Sequence, residues 1–466
     1  MKILLFLITT AQLVLANQID WSGGYRFEYL QIDRPSLGTP YQRKEYGMHF
    51  LYLSPRLIVS DGIQVVTRFD VMGDGGSSYN SYLGSVWGQG NSDSTKPTSK
   101  SNTLGRNSAS SNIRASQMYF NLSQENASLI LGRAPFDFGI GMSYSVGNGL
   151  FDHWNSNRDQ VSYKMLVDNM ILMPFISRHY DDGYAQGNLV QDEGFLVLYD
   201  NKQTGNQIGV MLERRKASLS SNDTPVGNAT TNPSVIGDSV QGDMSVQKTN
   251  FILGKDWDNF SFRLEAGFNS GDLGIVKNGQ SVKSTGYGIA SEWNFKNASS
   301  WNYTIKTGVA SGDNPDTTDY EGFQFDRNYD VAFLMFNHRL GTYDTLRSAA
   351  IRDTVGLTVG NSPDDEAISN AFYFAPVVKY RWNDKLDLNQ TFAWAQLMVS
   401  PFAGGKGSKE LGFEYDLELN YKIREKVMWS NQLGFVFPGA AFKSDTVPGS
   451  ENNFTFGFAT KIGLQF

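Results

Sequence analysis

The stretch NNFTFGFATKIGLQF, residues 452–466, alternates with a period of two. Phe454, Phe456, Phe458, Ile462, Leu464 and Phe466 fall on one side, interrupted by Thr460. Thr455, Gly457, Ala459, Lys461, Gly463 and Gln465 fall on the other. Successive side chains of a strand point to opposite faces. The segment therefore predicts a strand with one aromatic face and one face of small and polar groups. One such strand would also suit a layer of a soluble sandwich. The choice depends on whether the pattern recurs and on how its copies are joined.

It recurs along the chain. Trp21, Tyr25, Phe27 and Tyr29 oppose Ser22, Gly24, Arg26 and Glu28. Leu51, Leu53, Leu57 and Val59 oppose Tyr52, Ser54 and Arg56. After a Ser-Asp-Gly turn at 60–62, Val65, Phe69 and Val71 oppose Gln64, Arg68 and Asp70. Phe260, Phe262, Leu264 and Phe268 oppose Arg263 and Glu265, and Trp301, Tyr303 and Ile305 oppose Lys306. Leu411, Phe413, Tyr415, Leu417 and Leu419 oppose Glu414, Asp416 and Glu418. The reading gives about eighteen strands, each of roughly the 9–11 residues that cross a bilayer at a tilt.

The connections are segregated by length. Short ones fall near 60–62, 123–126, 166–168, 201–205, 258, 296–298, 383–384 and 424–425. Long ones, rich in Gly, Ser, Asn and Asp, include 73–112, 134–157, 217–246 and 311–369. A sandwich has no reason to keep its long loops at one end, whereas a membrane barrel has short periplasmic turns and long extracellular loops. The expected fold is all-β: a transmembrane antiparallel β-barrel of about 18 strands. In lipid every backbone group must be paired internally, so the barrel must close. The last strand should therefore meet the first near Trp21 to Tyr29, with the phenylalanine face of 454–466 toward lipid.

Composition agrees. The chain has 466 residues, no cysteine, 13% aromatic and 19% charged residues, and a mean hydropathy of -0.35. A polar mean is compatible with membrane residence when only alternate side chains see lipid. The net charge of -7 argues against nucleic acid as a partner. MKILLFLITTAQLVLA, residues 1–16, has the basic start, apolar run and small-residue end of a secretory signal peptide. One barrel domain, 17–466, is expected to follow it. The expected location is the outer membrane of a Gram-negative bacterium. The expected partners are the lipid bilayer, the barrel-assembly machinery and small hydrophilic solutes.

The aromatic alternation ending on Phe466 resembles the assembly signal of bacterial outer-membrane barrels. Two internal passages resemble the alginate-export family: LILGRAPFDFGIG at 129–141 and ASGDNPDTTDYEGF at 310–323. That resemblance implies an eighteen-stranded channel conducting solutes or an anionic polysaccharide. A polyanion conduit implies a strongly basic lumen. The inward set is instead mixed: Arg26, Arg56, Arg68, Lys164, Arg263, Lys306, Lys379, Arg381 and Lys461 against Glu28, Asp70, Glu265, Glu292, Asp387, Glu414, Asp416 and Glu418.

No catalytic constellation is visible. The four histidines are dispersed, and neither HExxH, GxSxG nor a strand-to-helix GxGxxG occurs. No cofactor is expected, and the chain reads as a channel rather than an enzyme; a dedicated exporter or importer and a structural or adhesion barrel are the alternatives. Asp313 and Asp316 have oxygen-ligand character without EF-hand spacing. The loop 134–157 carries Phe136, Phe138, Met142, Tyr144, Phe151 and Trp154, too apolar for a freely solvated loop. It is expected to fold into the lumen, with Arg133 and Asp152 helping to form a constriction. Glu414, Asp416 and Glu418 are expected to line the water opposite, screened across the lumen by Arg263 or Lys306. The apolar run at 330–340 is read as a loop segment packed at the pore mouth, the alternative being one of two extra strands that would make twenty.

Overall fold

The computed structural model describes residues 18–39, 41, 43–71, 81–82, 113–180, 190–217, 239–240, 244–277, 280–296, 300–346 and 366–466. The expected signal peptide and nearly all of 73–112 lie outside them. Among the described residues eighteen long antiparallel strands run in chain order: β1 (Gln18–Ile32), β2 (Lys44–Ser60), β3 (Ile63–Val71), β4 (Ile113–Gln124), β5 (Ala127–Pro135), β6 (Asn157–Val167), β7 (Met170–Tyr180), β8 (Val190–Asn201) and β9 (Asn206–Ala217). The second half comprises β10 (Met244–Asp256), β11 (Phe260–Lys277), β12 (Tyr287–Lys296), β13 (Trp301–Ala310), β14 (Ala371–Asn383), β15 (Leu386–Leu397), β16 (Glu410–Arg424), β17 (Val427–Pro438) and β18 (Thr455–Gln465).

Each strand pairs with its sequence neighbours. β18 returns to β1 with Gly24 opposite Gln465 and Ile32 opposite Gly457. The sheet is closed, as the terminal strand predicts, and Phe466 exchanges both backbone hydrogen bonds with Gly23 at 3.0 Å. The turn at 61–62 is tight, with Gly62 at φ 73°, where a side chain would be strained.

The period-two pattern sorts into two faces. On β18, Thr455, Gly457 and Ala459 are buried toward the interior, while Ile462 is exposed outside. Leu433 opposite Leu417 and Phe437 opposite Phe413 continue that outer apolar band. Tryptophans gather at the short-turn end: Trp21, Trp257, Trp301, Trp382 and Trp429 are all exposed there. Trp301 and Tyr380 lie 4.5 Å apart between ring centroids. An interfacial girdle has this composition and position.

The segment 330–340 contains no strand, which leaves the wall at eighteen. Its side chains Val331, Phe333, Leu334, Met335 and Phe336 are buried inside the barrel.

Candidate functional site: the lumen and its two inward loops

Two loops fold into the barrel. The first, 136–156, leaves β5 and returns to β6. Its apolar residues Phe136, Phe138 and Tyr144 pack on the inner wall of β7 to β10 through Met173, Phe175, Leu196, Met211 and Ile252. Its backbone amides at Ile140 (2.9 Å), Met142 (3.1 Å) and Ser143 (2.9 Å) all donate to the Glu265 carboxylate on β11. Gly139 sits at φ 63° with its α-carbon against that carboxylate, so a Cβ would collide with it. The far end of the loop reaches β1. Arg26 Nη1 donates to the carbonyls of Asp152 (2.6 Å) and Leu150 (3.2 Å), and His153 Nε2 lies 3.0 Å from Glu28. β1 and β11 stand almost opposite each other in an eighteen-strand ring, so the loop crosses the lumen.

The second loop follows β13 and includes 323–340. Phe333 N–H donates to Asp416 Oδ2 at 3.0 Å, and the amides of Leu334 and Met335 donate to the two oxygens of Glu414 at 2.6 Å each. The facing wall is built of small residues: Ala290, Ala310, Ala371, Ala375, Ala393, Ala395 and Ala459. Their short side chains leave the room that Phe325, Phe333 and Leu334 fill. Phe336 sits at φ 74°, a conformation a non-glycine residue holds only when its surroundings enforce it.

The loops brace each other. Asp326 accepts from Ser145 N–H (3.1 Å) and Ser156 Oγ (3.0 Å), and Asn328 bonds both backbone groups of Trp154. Burial pushes the Asp326 carboxyl above its ordinary value, against the pull of the Asn328 amide, the Ser156 hydroxyl and the Ser145 amide. Between the tips remains a void of about 350 Å³. Phe151, Asp152 and His153 of the first loop and Val331, Phe333 and Asn337 of the second line it, with Glu28, Lys306, Asn389, Glu418, Gln432 and Lys461 from the wall. Glu418 accepts from Asn389 Nδ2 (2.7 Å), Ser430 Oγ (3.3 Å) and Gln432 Nε2 (3.4 Å).

Several expected pore residues stand elsewhere or act differently. Arg133 faces outward: it shares its side of the wall with exposed Val161 and binds Asp159 through two 2.7 Å hydrogen bonds. The pairing of β5 runs without a break through Gly132, so Arg133 keeps the outward parity of Leu129 and Leu131, whereas the expectation places it in the loop rather than on that face. Asp152 reaches the constriction, but its carboxylate turns onto the Gly149 amide at 2.7 Å. Glu265, Glu414 and Asp416 are buried loop anchors rather than wetted pore charges. Arg263 and Lys306 do not screen the acidic pair: Arg263 binds Asp256 at 2.6 Å, and Lys306 binds the Asp330 carbonyl at 2.9 Å. Backbone amides perform that task instead.

The remaining expectations keep their face. Arg26 and Glu28 form a buried 2.7 Å pair on the inner wall. Arg68 and Asp70 pair at 2.9 Å, and Arg56 pairs with Asp20 at 3.2 Å. Lys164 shares the inward side of β6 with buried Arg158, Gln160 and Ser162. Asp313 and Asp316 accept the amides of Glu321 and Gly404. His153 and the alanine wall escaped the sequence reading. Alternating inward alanines on neighbouring strands are the signal that would have located the second loop.

The geometry has close counterparts among solved structures. The outer-membrane protein OpdK of Pseudomonas aeruginosa matches with a TM-score of 0.52 at 9% identity, covering 96% of this chain and 98% of its own. A BenF-like porin from Pseudomonas fluorescens Pf-5 matches at 0.51 and 10% identity, with the same coverage. OccK2 (OpdF) of P. aeruginosa, solved with glucuronate, matches at 0.52 and 10% identity, again over 96% and 98%. The fold is that of the outer-membrane porins. No protein-family model matches the sequence, and no curated protein sequence matches it.

Proposed function

We propose that this protein is an outer-membrane channel through which small hydrophilic solutes diffuse. The observation that supports it best is the narrowed, polar lumen. A closed barrel of this strand number encloses an aqueous channel. Here two anchored loops fold into it and border a space of about 350 Å³ lined by both signs of charge. That size suits a single small solute. It argues against threading a polysaccharide, so the alginate-export resemblance is taken to reflect architecture rather than cargo. On this reading residues 1–16 are a secretory leader, the strand ending at Phe466 is read by the assembly machinery, and the chain performs no catalysis.

Single-channel recording of refolded protein in a planar bilayer tests the proposal. Discrete conductance steps, reduced by solutes that fill the eyelet, are expected. A folded barrel giving no steps would instead identify a structural or adhesion protein.

A further inference from the structure

Glu418 is an acid of the inner wall that holds no loop. Glu265, Glu414 and Asp416 each accept loop amides, and Glu28 is held by Arg26 at 2.7 Å and His153 at 3.0 Å. Glu418 borders the void of about 350 Å³. Among the described residues it meets neither a loop amide nor a basic side chain. Its partners are neutral: Asn389 Nδ2 (2.7 Å), Ser430 Oγ (3.3 Å) and Gln432 Nε2 (3.4 Å). Lys379, opposite Asn389 in the register, turns to Asp387 at 2.9 Å. The two lysines that line the void have acids of their own, Lys306 with Glu292 at 3.5 Å and Lys461 with Glu28 at 3.8 Å. The amides that hold Glu418 leave a second mark. With their nitrogens on the carboxylate, Asn389 Oδ1 and Gln432 Oε1 are buried and meet no donor among the described residues. Buried acceptors left unmatched are rare and costly. The register sets Asn389, Glu418 and Gln432 side by side on β15, β16 and β17, one strand spacing of about 4.8 Å apart.

We propose that this row is a binding subsite for the protonated primary amine of a small solute passing between the two loops. The inference rests on the channel reading and names the class of solute that the channel favours. An ammonium group presents three donors on one compact charge. Half a turn of each amide about its last side-chain bond exchanges its oxygen and its nitrogen. The oxygens of Asn389 and Gln432 then join the Glu418 carboxylate, three acceptors on adjacent strands for three donors, and no buried oxygen is left unmatched. An anionic solute would meet the carboxylate unscreened, and a neutral one gives it no countercharge. A divalent metal ion of the oxygen-seeking kind takes about six to eight ligands, more than this row supplies. Phe151 and Phe333, from the two loop tips, border the same void, so the carbon body of the amine has an apolar wall to lie on.

The test uses the full chain refolded in neutral detergent, with isothermal titration calorimetry for affinity, and the same protein in planar bilayers for current block. The probes are glucosamine hydrochloride in weakly acidic buffer, glucose and N-acetylglucosamine, which share one ring and differ in the amine. Glucosamine should bind about tenfold more tightly than either neutral sugar, the contribution of one charge-assisted hydrogen bond. Glu418→Gln should abolish that preference. Asn389→Leu and Gln432→Met should each reduce it with the carboxylate intact. Heat-modifiable gel migration confirms that each variant is a folded barrel, and if Glu418→Gln does not fold, the two amide variants decide. Equal binding of the three sugars by wild type would overturn the proposal, as would an undiminished preference in the folded variants. Displacement of glucosamine by an equal concentration of calcium chloride would reduce the row to a general cation site and overturn it too. Conductance steps without any preference for the amine would leave the channel reading standing and remove only this inference. A calorimetric preference without conductance steps would keep the amine subsite and remove the channel reading.

Discussion

Replacing Glu265 by alanine should loosen the first inward loop and expose its role as a gate. The carboxylate is fully buried and receives the amides of Ile140, Met142 and Ser143 within 3.1 Å. Alanine leaves three donors without an acceptor. An unsatisfied buried donor costs about 1–3 kcal/mol. Taking the lower end of that range gives about 3 kcal/mol for the three. At 1.4 kcal/mol per factor of ten, the docked arrangement should lose about a hundredfold in its equilibrium. The far end stays tied through Arg26 to Asp152 and through His153 to Glu28. The expected event is therefore partial release, seen as frequent excursions to a larger conductance. Glu265→Gln keeps one acceptor oxygen and should fall between the two. Single-channel recordings at fixed voltage measure the effect, with heat-modifiable gel migration confirming a folded barrel. An open-level occupancy within twofold of wild type in folded Glu265→Ala would refute the view that this carboxylate holds the loop.

Leu417→Arg, on the lipid face midway along β16 and opposite Leu433, should destabilise folding in bilayers by about 2–4 kcal/mol, while Lys164→Ala, on the lumenal face of β6, should leave folding titrations within error. An impermeant maleimide should label Lys406→Cys on intact cells and leave Asp61→Cys unlabelled until the envelope is opened; the opposite result reverses the orientation. The raised Asp326 carboxyl gives a pH signature. The folded protein holds this proton more tightly than the unfolded chain, so the brace it forms is strongest in acid and weakens as pH rises through the raised value. Conductance fluctuations should increase over that interval in wild type, and Asp326→Asn should flatten the dependence.

The strands and turns were legible because lipid on one side and lumen on the other impose the period-two code on every crossing. Phe454 to Phe466 states it most clearly, and Asn383–Asp384 and Ser60–Gly62 mark its reversals. The apolar content of 134–157 likewise announced an inward loop. What failed was the reading of inward charge. Alternation reports which face a carboxylate occupies, and nothing about what covers it. Glu414, Asp416 and Glu418 share one face at equal spacing, yet Glu414 is capped by two loop amides and Glu418 by two side-chain amides and a hydroxyl. Gly457 shows the same limit: it faces inward as expected, but Leu334 fills the space where its side chain would stand. Arg133 failed for a different reason: the strand continues unbroken through it, so period two places it with Leu129 and Leu131 on the outer face, whereas the expectation treats it as the start of the inward loop.

These failures share a physical cause that also explains the design of the lumen. A loop folded into a barrel brings backbone amides that have no strand partner, and the wall must supply acceptors or leave them orphaned. Carboxylates are suited to this, since each has two oxygens and several lone pairs. Both loops use the same device: Glu265 collects three amides of the first, and Glu414 with Asp416 collects three of the second. The acids that looked like a cation-selecting ladder are therefore spent on architecture. Selectivity is left to the few charged groups that still border the 350 Å³ space, chiefly Lys306, Lys461 and Glu418. It follows that Lys461→Gln should shift ion preference toward cations while leaving loop position unchanged, because Lys461 stands 3.8 Å from Glu28 and anchors no loop amide. Glu414→Gln should do the reverse, disturbing conductance level far more than selectivity. Reversal potentials in a salt gradient, recorded beside conductance histograms, separate the two effects. If Glu414→Gln moved the reversal potential as much as Lys461→Gln, the division between anchoring and selecting charges would be wrong.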